Sequence, residues 1–148
     1  MTISMHKPLH HQEGFTLIEL LIVVAILGVI AAIAIPSYRG YIERGHRADM
    51  MSELQNIGTT IQSRKLAKGK YSNDLLTDSG GNALAGNFPR EGKALYTITI
   101  TPDPLTPQWM ISATPIVGTR MAGDGTLTFN HEGVRCRAGK CGLGTEWR

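Results

Sequence analysis

The chain opens polar, becomes apolar without interruption, and then settles into two periodic patterns. Residues 15–35 read FTLIELLIVVAILGVIAAIAI, 21 positions with a single ionisable side chain, Glu19. As a helix this run is roughly 31 Å long at ~1.5 Å per residue, the thickness of a bilayer hydrocarbon core. Nothing else in the chain is apolar enough to surround it, which argues against the buried helix of a globular core. Beyond it, Met50, Met51, Leu54, Ile57, Gly58 and Ile61 recur at three- and four-residue spacing. Arg47, Asp49, Ser52, Glu53, Gln55 and Asn56 fill the other faces. That spacing predicts an amphipathic helix to about Ala67, laid against an apolar partner, with Gly69 as its stop. Between the two stretches stands Pro36, which has no N–H to donate and crowds the preceding turn. A kink or local unwinding, a helix break, is expected there. Gly40 and Gly45 weaken the same region by ~1 kcal/mol each relative to alanine.

Residues 72–94 are rich in Ser, Asn, Asp and Gly and read as loop, with a helical turn near Asp74 to Leu76. The Asp78–Asn82 stretch is a plain turn, since it lacks the acidic spacing of a calcium loop. The period then becomes two. Tyr96, Ile98 and Ile100 form one alternating run; Trp109, Ile111 and Ala113 a second; Leu127 and Phe129 a third; Val134 and Cys136 a fourth. Each is a half-buried strand, and the short Pro-, Asn- and Gly-bearing links make successive strands antiparallel. The sheet needs a cover and the amphipathic helix needs a partner. The expected fold is therefore α+β: a long N-terminal helix packed on an antiparallel meander of about four strands. The chain divides into a leader (1–14), a membrane helix (15–35), an amphipathic helix entering the head (36–70) and a globular β head (71–148).

Composition changes this picture only in part. A hydrophobic content of 42% and a charged content of 18% resemble a soluble domain because they average over the crowded segment. The net charge of +3, from 15 Lys and Arg against 12 Asp and Glu, is too mild to argue for nucleic acid by itself. Position says more. His6, Lys7, His10 and His11 precede the apolar run, which favours keeping that end in the cytoplasm and the head on the far side. A secretory signal would be cut after its apolar run, whereas here Gly14 lies before it. Glu19 costs a few kcal/mol inside such a segment and needs a partner.

Gly14-Phe15-Thr16-Leu17-Ile18-Glu19 resembles the processing motif of type IV prepilins, and Ala34-Ile35-Pro36-Ser37-Tyr38 carries the proline of that family. The resemblance implies cleavage between Gly14 and Phe15 by a prepilin peptidase, N-methylation of Phe15, and an assembly role for Glu19. Cleavage would leave a positive amine at Phe15, and Glu19 follows one helical turn later, on the same face. A pair between them, or with the amine of a neighbouring subunit, would set register more than stability. LYTITITP, WMISATPI, GDGTLTFNHEG and the terminal EWR are similar to the heads of PilE-type minor pilins. The implied function is a structural subunit of a type IV pilus, taking part in pilus assembly and supporting motility and adhesion. The implied partners are other pilins, met through N-terminal helices, the peptidase, and the inner-membrane assembly machinery. The implied location is the inner membrane, single-pass with a periplasmic head, and then the pilus surface.

The cysteines depart from the family, whose heads commonly bridge a cysteine ahead of the third strand to one near the carboxyl end. Ala122-Gly123-Asp124-Gly125 has none, and Cys136 and Cys141 enclose only four residues. An oxidising exterior favours a disulfide between them, worth up to ~2–3 kcal/mol; a metal site completed by His131 and a free thiol pair stand as alternatives. No Gly-x-Ser-x-Gly, His-Glu-x-x-His or Gly-x4-Gly-Lys pattern occurs, so neither catalysis nor a cofactor nor a metal is expected. His46 and His131 read as solvated helix and turn residues. Two rival readings keep the same N-terminal half. One is a type II secretion pseudopilin. The other is a DNA-uptake (competence) pilin, for which Arg135, Arg137, Lys140 and Arg148 would supply a basic stripe. The cluster of Arg64, Lys65, Lys68 and Lys70 reads instead as a cationic helix end.

Overall fold

The computed structural model describes residues 14–142 and Trp147. The leader before Gly14 and the candidate Arg148 lie outside the described residues. One helix, α1 (Leu17–Lys68), takes up 52 residues. The Thr16 hydroxyl caps its start by accepting from the Glu19 amide at 3.2 Å. Gly69 ends it in the left-handed region, φ 78°, with its amide donating to the Lys65 carbonyl at 2.8 Å, as the sequence predicts. Pro36 lies inside α1, which continues as helix on both sides of the proline. Pro36 removes a single rung, and the good helix formers Ala31, Ala32 and Ala34 sustain the turns before it.

Contacts divide the chain into two units, Met1–Gly40 and Tyr41–Arg148. In the first, every described residue up to Arg39 is exposed, and the apolar stretch has the length and composition to cross a membrane. The second unit is built on a six-stranded antiparallel sheet in strictly sequential order. Its strands are β1 (Gly86–Phe88), β2 (Tyr96–Thr101), β3 (Met110–Pro115), β4 (Leu127–Asn130), β5 (Arg135–Arg137) and β6 (Lys140–Gly142). Met50, Leu54, Ile57 and Ile61 of α1 are buried with Tyr96, Ile98, Trp109, Ile111, Ala113 and Leu127. The helix face and the sheet face predicted by the two periodicities are thus the two halves of one core.

Six strands replace the four expected. β1 and β6 read Gly-Asn-Phe and Lys-Cys-Gly, which show no apolar alternation. Pairing holds them instead: Phe88 sits opposite Tyr96, and Cys141 opposite Cys136. The β5–β6 turn places Ala138 at φ 49° and Gly139 at φ 81°, the double left-handed conformation of a two-residue hairpin. The predicted helical turn is present as a single 3-10 turn, Asn73–Leu75.

Candidate functional site

The prepilin-like residues sit at the beginning of the described chain. Gly14, Phe15 and Thr16 precede α1, and Phe15 is 85% exposed. Glu19 is in the first turn of α1, where a negative charge complements the helix dipole. It too is exposed. These residues and the apolar side chains after them form an exposed surface rather than a pocket, one suited to burial against lipid or other helices.

Cys136 and Cys141 are joined by a disulfide, which excludes both the free-thiol and the metal alternatives. The bridge ties β5 to β6 at directly opposed positions. Among the described residues no cluster of His, Cys, Asp and Glu is placed to hold a metal.

The head also contains a constellation that period and motif do not reveal. Asp124, in the loop between β3 and β4, has a side chain 3% exposed. It accepts from the Arg47 Nε of α1 at 2.7 Å and pairs with that guanidinium's Nη2 as well. Its other oxygen, Oδ2, accepts from the Tyr96 hydroxyl of β2 at 2.9 Å, while Nη2 of Arg137 in β5 reaches the oxygen shared with Arg47, Oδ1, at 3.2 Å. Arg137 Nε donates to the Asp124 backbone carbonyl at 3.1 Å. One carboxylate therefore fastens helix, sheet and loop. The hydrogen bond to Asp124 holds Arg47 more firmly charged than usual, and burial pushes the Tyr96 phenol well above its ordinary value. The only sequence signal was the pattern of a lone Asp among glycines, which marks a turn before it marks a charge site.

The candidate basic stripe is largely committed within the fold. Arg137 holds Asp124, and the Arg135 guanidinium lies 5.4 Å from the centre of the Trp147 ring. Lys140 is exposed. At the helix end, Arg64 donates to the Leu75 carbonyl at 2.7 Å, Lys68 to that of Asp74 at 3.3 Å, and Lys65 lies over Tyr71. These cations bind α1 to the following loop. His46 lines a groove beside Asp49, Glu53 and Phe88. His131 is not simply a solvated turn residue: its Nδ1 is buried, beside Trp109.

Two family models match the chain. One, the prokaryotic N-terminal methylation motif, covers residues 9–35. The other, described as type IV minor pilin ComP, DNA uptake sequence receptor, covers residues 36–136. Among individual proteins, the type IV major fimbrial protein FimA of Dichelobacter nodosus is 46% identical over 77 residues, 52% of this chain and 49% of its own length. Fimbrial protein Q of Moraxella bovis is 43% identical over 82 residues, 49% of this chain and 52% of that one. Fimbrial protein EcpC of Eikenella corrodens is 44% identical over 75 residues, 51% of this chain and 44% of that one. The chain spans about half the length of these curated relatives.

Proposed function

The chain belongs to the type IV pilin family, and from that premise we propose that it is a minor structural subunit of a type IV pilus, processed by a prepilin peptidase and needed for pilus assembly, supporting motility and adhesion. The match of the minor-pilin model over residues 36–136 carries this reading, because it covers the head rather than the shared N-terminal motif alone. The peptidase cuts between Gly14 and Phe15, and Phe15 is then methylated. Residues 15–35 hold the subunit in the inner membrane as a single span, with the head in the periplasm, and later pack among the same helices of neighbouring subunits. Such packing replaces lipid contact by helix contact, so leaving the bilayer carries little hydrophobic penalty. Glu19 then meets the Phe15 amine of an adjacent subunit and sets the stagger between them. Substituting Gly14→Ser should leave uncleaved precursor; a mature chain starting at Phe15 in that variant would contradict the processing site.

Immunogold labelling of sheared filaments, beside a deletion strain, tests the subunit role. Sparse label along the pili and loss of piliation on deletion are expected. Dense uniform label would make the protein the major subunit, as the FimA relatives are named. Intact, unlabelled pili would sink the reading.

A second reading follows from the matched model's own description, a DNA uptake sequence receptor. On this reading the exposed Lys140, with Arg135 and Arg148, contacts phosphate. Duplex DNA affinity should then fall steeply with salt, and Lys140→Ala should lower the slope by about one. Salt-independent or absent DNA binding would remove it.

A further inference from the structure

We propose that two copies of the head dock side by side, a turn of one (Val117 to Arg120) entering a groove of the other between α1 and β1. The turn projects from the loop after β3. Val117 at its apex is 92% exposed, more than any other large apolar side chain among the described residues. A well-bonded frame holds it there. Thr119 donates its amide to the Ile116 carbonyl at 3.2 Å and its hydroxyl to the same oxygen at 2.7 Å. The amides of Met121 and Ala122 bond in turn to Thr119, and Met121, 1% exposed, anchors the loop in the core. Gly118 takes φ 80°, as the third residue of a type II turn does. A turn fixed in this way loses little freedom on docking. Arg120 follows, exposed and without an ion-pair partner among the described residues. The knob is thus one apolar side chain beside one cation.

The groove answers both. It encloses about 430 Å³, with Phe88, Pro89 and Leu95 on the sheet side and Asp49, Ser52 and Glu53 on the α1 side. Phe88 and Pro89 are only half-buried, so apolar surface there stays open to a partner. Asp49 is exposed and has no ion-pair partner among the described residues, and Arg90 reaches Glu53 only at 3.9 Å. No Lys or Arg lines the groove. An uncharged partner would leave the carboxylates unanswered, and an anionic one would be repelled. Valine meets the apolar wall and arginine the acidic one. Ile116, where the turn begins, donates its amide to the Leu95 carbonyl at 2.9 Å, and Leu95 lines the groove. Knob and groove therefore lie at one end of the sheet, and two parallel copies present them at the same level. Each copy carries both, so the contact can be reciprocal, as in an isologous pair. It needs only two copies in one membrane or micelle and stands apart from the filament and DNA readings above.

Oxidative cross-linking of the full chain in detergent micelles tests the contact. Cys136 and Cys141 are bridged, so an introduced cysteine is the one free thiol among the described residues. Val117→Cys mixed with Ser52→Cys should give a disulfide-linked dimer. Val117→Cys mixed with Thr99→Cys, on the sheet face turned from α1, should not. Association through the apolar helices alone would link both mixtures equally. Adding Arg120→Glu to the first partner should lower the yield about fivefold, and adding Asp49→Arg to the second should then restore it. All five positions are exposed, so each variant should keep its unfolding midpoint. Equal yields in the two mixtures, no recovery on the paired charge reversal, or cross-linking of Val117→Cys in cells to a different protein in place of a second copy would each overturn the proposal.

Discussion

A carboxylate that is 3% exposed and shared by two guanidinium groups and a phenol is a costly thing to lose half of. Removing the charge of Asp124 while keeping its shape leaves Arg47 and Arg137 facing a neutral amide. Both arginines retain some solvent contact, at 13% and 25% exposure, so water recovers part of the loss. Asp124→Asn should therefore destabilise the head by about 2–3 kcal/mol, less than a fully buried pair. Thermal unfolding of the detergent-solubilised chain, followed by near-ultraviolet circular dichroism, checks this; an unchanged midpoint would remove Asp124 as a fastening point. Tyr96 adds a pH dependence. Its folded phenol is raised, first by burial and then by its bond to Asp124. Between the ordinary phenol value near ~10 and the higher folded one, the unfolded chain releases a proton that the folded chain keeps. Its stabilising contribution is thus complete below that ordinary value and declines as pH rises above it. Urea unfolding at neutral and strongly alkaline pH should show the decline, and Tyr96→Phe should make it shallower.

Among elements, the contact of α1 with the sheet turns on Gly58. Alanine there would gain ~1 kcal/mol of helix propensity. Against that, its methyl would stand 2.6 Å from Phe129. Phe129 has little room to retreat, with its ring 6.0 Å from that of Trp109 and 5.8 Å from that of Trp147. Overpacking of this kind costs ~1–3 kcal/mol, so the steric loss should win and Gly58→Ala should lower stability by about 1 kcal/mol. A raised unfolding midpoint would show that the aromatic cluster yields. The amphipathic spacing identified Gly58 as a core-facing position, but not that two aromatic rings press against its missing side chain. Likewise β1 and β6 were illegible: Gly-Asn-Phe and Lys-Cys-Gly carry no apolar alternation, and only the register with β2 and β5 makes them strands.

For the molecule as a whole, the apolar segment is exposed along its described length, which is stable only where lipid or other helices cover it. If Glu19 sets the stagger between neighbours, Glu19→Ala should be processed normally yet enter filaments poorly, as the ratio of filament-bound to membrane-bound subunit would report. Normal incorporation would remove its register role.

Local sequence alone determined the long helix, its apolar and amphipathic halves, its stop at Gly69, the strands β2 to β5 and the processing motif. Each is a repeating or contiguous pattern, and such patterns follow from covalent spacing and the water-avoidance of side chains. Tertiary structure alone decided that two further strands close the sheet edges, that Arg47, Tyr96 and Arg137 converge on Asp124, and that Trp109 and His131 share a cleft. Those facts join residues far apart in the chain, such as Arg47 and Asp124, 77 positions distant, and no local pattern encodes which distant partner will arrive.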